Sequence, residues 1–288
     1  MTEGVLGIIG CPMLEDNLVW SLRGDSDEKD IAIVDTGHEG SLRDKLDVHS
    51  IPYRVVDEDD ALSGRYVPSE GSFNLLVYML DLGLHSVPEE LRSKVEDVAV
   101  RMQPYVDAIG FYLGTCGTYH WDIPEWCEGR GMKPSEMFRD RDGNPCDDCV
   151  GANIGGGPKY LEMQKRYTGY LYMFPAMVAN NDAFMRANNK EAEESMKHMT
   201  PEMMEVLGIE PGPDGYMRWL LSLGHYQHML KLDNGIGDVG HYDEGLEKLR
   251  ERNRLDIVVA EPGWATTQPT EDLYAKCKSL LDSAHRSG

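Results

Sequence analysis

Short continuous apolar runs alternate with amphipathic stretches along most of the chain. Val5-Leu6-Gly7-Ile8-Ile9-Gly10 lacks polar alternation, which is the pattern of a strand buried on both faces, and helical spacing follows it from Glu15. Residues 31–35, 53–56, 73–80 and 106–113 read as further strands of the same kind. Ser86-Val87-Pro88-Glu89-Glu90 supplies a capping hydroxyl, an early proline and acidic first-turn residues, so a helix should run from there to about Met102 and end before Pro104. Residues 120–143, rich in Trp, Pro, Gly and charge, read as a long covering or functional loop. Helical spacing returns in 158–166, 188–207 and 216–232. Residues 170–178 alternate weakly as a strand would, 255–260 form a last strand, and 270–284 a closing helix. The pattern predicts an α/β fold: a mostly parallel sheet covered by helices, with a helical C-terminal portion. It reads as a single domain over 1–288 with a helix-rich segment at about 180–252.

Parallel sheets place their sites at the carboxyl ends of the strands. Cys11, His85 and Cys116 each follow an apolar run directly, so all three should project from one sheet edge. Cys146 and Cys149 stand three apart in the turn-prone Asn144-Pro145-Cys146-Asp147-Asp148-Cys149, the spacing that lets two sulfurs reach one ion. These five residues are the candidate metal ligands. Tetrahedral zinc takes four such groups, and an iron–sulfur cluster takes four thiolates as the alternative. Any one of these thiols taken alone is equally well explained as a small buried apolar group. Asp148 and Glu261 are the candidate general bases or ligand orienters.

Other features carry blander readings. Cys127 and Cys277 lack neighbouring ligand types and read as structural. His225 and His228 stand three apart on the expected helix and read as partly exposed, while Met196, Met199, Met203 and Met204 read as a core stripe. Gly155-Gly156-Gly157-Pro158 matches no phosphate-loop fingerprint, so it reads as a turn allowing close backbone packing.

Composition narrows the partners. With 288 residues and 41% hydrophobic content the chain can bury a sizeable core. A net charge of −22 repels phosphate backbones and acidic lipid surfaces, so neither nucleic acid nor membrane is an expected partner. No apolar run is long enough to span a bilayer and the first residues lack the order of a signal peptide, which reads as soluble and cytoplasmic with reduced cysteines.

Cys11 at its strand end, Leu84-His85-x-x-Pro88-x-x-Leu91, Gly114-x-Cys116-Gly117, and Asp148-Cys149 followed by glycines and Tyr160 together resemble one family, domain-of-unknown-function family 1638, over roughly residues 5–180. The sequence departs from it near 169–178, where Pro175-Ala176-Met177 replaces an expected Gly-Trp pair. The resemblance implies a setting in methanogenic archaea and anaerobic bacteria, near corrinoid-dependent methyltransferases. A zinc or iron–sulfur protein of corrinoid-linked one-carbon metabolism is therefore expected, either a methyl-transfer enzyme acting on a small molecule or an accessory factor. The alternative is a non-catalytic module with a structural metal site that docks a methyltransferase or corrinoid protein.

Overall fold

A computed structural model describes residues 2–116, 118, 121–188, 194, 196–212 and 214–286. Six strands form one sheet: β1 (Gly4–Gly10), β2 (Lys29–Asp35), β3 (Arg54–Asp57), β4 (Phe73–Met79), β5 (Ala108–Tyr112) and β6 (Ser135–Met137). Their spatial order is β3-β2-β4-β1-β5-β6 and every pairing is parallel. A second parallel sheet joins β7 (Tyr170–Met173), β8 (His228–Lys231) and β9 (Asp256–Val259) in chain order. This is the α/β architecture expected from the apolar runs, with a helical C-terminal portion in Val239–Asn253 and Gln268–Arg286.

The unbroken apolar runs are explained by two cores, one on each face of the large sheet. Leu6 and Ile8 of β1 join Leu75 and Val77 of β4 beneath the helices Glu15–Gly24 and Gln268–Arg286. Val5 and Ile9 join Leu76 and Tyr78 against Val95, Val98 and Ala99 of the helix Pro88–Met102. Successive side chains of a strand point to opposite faces, so a strand covered on both sides must be apolar at every position. The chain thus leaves β1 toward one face and β4 toward the other. Diverging connections of this kind open a crevice at the strands' carboxyl ends.

Ionic ties fasten the surrounding elements. Lys45, on the helix Gly40–Val48, lies 2.9 Å from Glu15 and 2.7 Å from Asp16, both almost fully buried. Asn180, just after the helix Pro175–Ala179, donates to the same Glu15 carboxylate at 3.1 Å and so links the second sheet's connection to the first. Midway along the closing helix Gln268–Arg286, Lys278 reaches Asp25 at 2.7 Å and Asp27 at 2.8 Å, and the Tyr274 hydroxyl donates to Asp25 at 2.7 Å.

Three expectations are corrected. Residues 216–232 are not one helix: the helix Gly215–Leu223 stops at Gly224, His225 adopts a left-handed φ of +55°, and His228 opens β8. Leu and Met suit helices, but parallel pairing on both sides of Met229-Leu230 overrides that preference. Residues 120–143 contain the helix Ile123–Glu128, capped by Asp122, and the three-residue β6, too short to show a period. The methionine stripe is not core, since Met203 is 49% exposed and Met196, Met199 and Met204 are only half-buried. Part of the expected 188–207 helix lies outside the described residues.

The closing-helix anchor makes stability depend on acid. Burial alone would raise the Asp25 carboxyl, but hydrogen bonds from Lys278 and Tyr274 outweigh it and hold the group below its ordinary value. The contribution is therefore complete above the unfolded carboxylate value of about 4 and is lost as pH falls through the lower folded value. Thermal melts across the acid range should show Asp25→Asn less stable than the parent at neutral pH and nearly equal to it at the acid end. Parallel pH profiles for the two proteins would contradict this.

Candidate functional site

The strands β4, β1 and β5 are neighbours, and their ends are laced by main-chain hydrogen bonds. Leu80 N–H donates to Gly10 O at 2.8 Å, and Cys11 N–H to Tyr112 O at 2.9 Å. His85 follows β4 on the 3-10 turn Leu82–Ser86, Cys11 follows β1, and Cys116 follows β5. The strand-end expectation for these three therefore holds.

A fourth element comes to this edge from a distance in the sequence. Cys116 N–H donates to Asp147 O at 2.9 Å and the Thr115 hydroxyl to the same oxygen at 3.1 Å. Gly114 lies so close that a Cβ there would sit 2.6 Å from the Asp148 Cα, so only glycine permits the approach. Cys116 adopts a left-handed φ of +39° to make the turn. Asp148 caps the short helix Cys149–Ile154, accepting from Gly151 N–H at 2.7 Å. Behind Cys149, the buried Asn153 donates to Cys149 O at 2.9 Å while its own side-chain oxygen accepts from Asn17 at 3.3 Å and Asn234 at 3.0 Å. The glycines after this helix behave as a packing turn: Gly156 has φ +94°, and a Cβ there would lie 2.3 Å from the Asp140 Cβ.

Cys11, Cys116 and Cys149 lie within electrostatic range of one another, and Asp148 within range of Cys116, Cys149 and His85. Burial pushes the Cys149 thiol well up, and the neighbouring Cys116, Asp148 and Cys11 push it further. Cys116 is raised by burial, then by Cys11 and Asp148, and burial takes Cys11 up to about 12. Burial also raises the Asp148 carboxyl and lowers His85, on which Asp148 pulls the other way. All six cysteines are free thiols. Burial and the neighbouring acidic groups both disfavour an anion on any of the three sulfurs. As placed, no three His, Cys, Asp or Glu side chains among the described residues stand in ligating positions.

Two sequence candidates sit apart. Cys146 is fully buried in the core, with Asp140 as its strongest charged neighbour after the effect of burial, and no thiol among its main influences. Glu261, beyond β9, is largely exposed and paired with Arg166.

A cleft of about 480 Å³ opens beside Cys149, Asp148 and His85. Its walls are Tyr160, Tyr167, Tyr170, Tyr172, Tyr226 and Phe184, with Met173, Met177 and Met185 among them. The sequence reading missed this lining. The signal was present, since four of the 14 tyrosines fall within residues 160–172.

Fold and site together define a helix-covered parallel α/β protein with a thiol cluster at its strand ends and an aromatic cleft next to it. The family model described as "Protein of unknown function (DUF1638)" matches residues 79–269, more than half of the chain, and the chain belongs to that family. No curated protein and no solved structure matches it. No helix among the described residues is long and apolar enough to cross a membrane.

The close approach at Gly114 and the Asp148 cap are separable by mutation. Gly114→Ala should destabilise by about 1–3 kcal/mol, because backbone rather than a flexible side chain must yield. Asp148→Ala should cost about 1 kcal/mol and Asp148→Asn much less, since Asn also caps. Denaturant unfolding measures both, and an unchanged midpoint in Gly114→Ala would contradict the packing argument.

Proposed function

We propose that this chain holds one thiophilic metal ion, zinc in the first instance, through Cys11, Cys116 and Cys149, and uses it on a small molecule lodged in the tyrosine cleft. The observation that carries this is that three free thiols, Cys149 buried and Cys11 and Cys116 half-buried, lie within electrostatic range of one another from the Cys149 helix, the end of β1 and the end of β5, next to an open cleft. Buried inert thiols are common singly, but three brought together from distant parts of a chain are not explained by packing.

The chemistry of the donors suits such an ion, although as placed they do not stand in ligating positions. Soft sulfur ligands suit zinc or iron, and the coupled thiols gain a counter-charge when they lose their protons. His85 and Asp148 are the groups placed to complete or orient the set. When bound, zinc would act as a Lewis acid and hold a ligand thiol in its nucleophilic form. The chain's own part is to keep the sulfurs dry, to fix Cys149 through Asn153 and the Asp148 cap, and to line the approach with aromatic faces. The family resemblance supports a setting in corrinoid-linked methyl metabolism. Within it the chain is a methyl-transfer enzyme or an accessory factor, and the open cleft favours small-molecule chemistry over a closed structural site.

Elemental analysis of anaerobically purified protein should find about one zinc per chain and no visible colour. Cys149→Ser and Cys116→Ser should lose the metal, whereas Cys146→Ser should keep it. A brown, air-sensitive protein would replace zinc with an iron–sulfur cluster, and a folded protein free of any metal would refute both. Loss of metal in Cys146→Ser alone would move the site back to the Cys146–Cys149 pair.

A further inference from the structure

We infer that the cleft beside Cys149 is a binding site for a small methylated onium cation, a quaternary or methylated ammonium or a methylated sulfonium. The inference deepens the small-molecule reading above and rests on the cleft being the ligand-bearing side of the thiol cluster.

The lining is the argument. Tyr160 and Tyr172 stand at 68° with ring centroids 5.8 Å apart, and Tyr167 and Tyr170 at 69° and 5.4 Å. Two near-perpendicular ring pairs line the one cleft, although Tyr167 and Tyr170 also pack on Trp264 and His228, and an aromatic lining of this kind is what an aromatic cage for a cation requires. Tyr226 lies within electrostatic reach of Tyr172, and Tyr160 within reach of both Asp148 and Cys149. The cage is therefore continuous with the thiol cluster.

Charge selects the sign of the ligand. No Lys or Arg is among the residues lining the cleft, while the carboxyl of Asp148 is. An anion would give up its hydration here and meet a carboxyl, ring faces and a few polar groups such as His85, Gln164, Thr168 and Asn181, with no Lys or Arg to pair with. A cation gains from both, and the net charge of −22 draws cations toward the protein.

Hydrogen-bonding capacity selects methylated over bare cations. A primary ammonium is strongly hydrated and carries three donors that each need an acceptor on burial. The walls offer mainly ring faces and the soft thioethers of Met173, Met177 and Met185, which suit methyl groups attached to a positive centre. A volume of about 480 Å³ admits a cation carrying a further substituent beyond its methyl groups.

Calorimetric titration of the purified protein at fixed ionic strength tests this with choline, tetramethylammonium, and the uncharged isostere of choline in which carbon replaces nitrogen. Choline should bind about tenfold more tightly than the isostere. Tyr172→Leu and Tyr160→Leu should remove most of that preference, while Tyr172→Phe keeps it and Asp148→Asn reduces it. Equal affinity for choline and its isostere, or no binding of either cation by the folded parent protein, overturns the inference. Should the Leu variants fail to fold by circular dichroism, the parent's own selectivity still decides. The metal reading fails separately: metal-free parent protein that still prefers choline keeps the cage and loses the metal, and zinc-loaded protein indifferent to choline does the reverse.

Discussion

The carboxyl edge of the large sheet depends on one close approach of two stretches of main chain, Gly114-Thr115-Cys116 and Asp147-Asp148. Two hydrogen bonds to the Asp147 carbonyl hold them, and the missing side chain of Gly114 lets them touch. Without that contact the turn after β5 and the Cys149 helix would be separate surface features. With it, a thiol from each comes within electrostatic range of the thiol at the end of β1. The contact in turn needs a rigid base, which the two-sided core supplies by fixing β4, β1 and β5 level with one another.

The cleft has a different origin from the thiol cluster. Its tyrosines come from the helix Gly157–Arg166, the segment that follows it, β7 and the turn before β8, so the smaller sheet builds the aromatic wall. The larger sheet and the loops at its carboxyl edge supply the sulfurs. Asn180 and Asn234 run between the two halves, donating to Glu15 and to Asn153 respectively. Asn153 is thus tied at once to the helix that carries Cys149, to Asn17 below β1 and to the smaller sheet's loop. Its 2% exposure means that these bonds are made without competition from water.

Much of this was legible in the chain for a physical reason. A parallel strand buried on both faces leaves an unbroken apolar run, and the residues just beyond it fall at the sheet's carboxyl edge, so Cys11, His85 and Cys116 could be placed there from their neighbours alone. The approach of the Cys149 segment to the turn after β5 was not legible from local pattern, and Cys146 was not separable from Cys149 by spacing. Both are packed in the same core, and only Cys149 also lines the cleft. β8 was hidden because Met229 and Leu230 are good helix formers whose strand conformation is imposed by neighbours on both sides. The cage was hidden because its rings come from several elements, and no local period records how such elements meet.

The left-handed backbone of Cys116 adds a judgement from cost. A residue with a side chain pays on the order of 1–2 kcal/mol to hold that conformation, which glycine adopts freely. Glycine was the inexpensive solution at this turn, and Gly117 stands immediately beside it. A chain that carries a side chain at this position accepts lower stability there, so Cys116→Gly should be tolerated by the backbone and any loss it causes would belong to the sulfur.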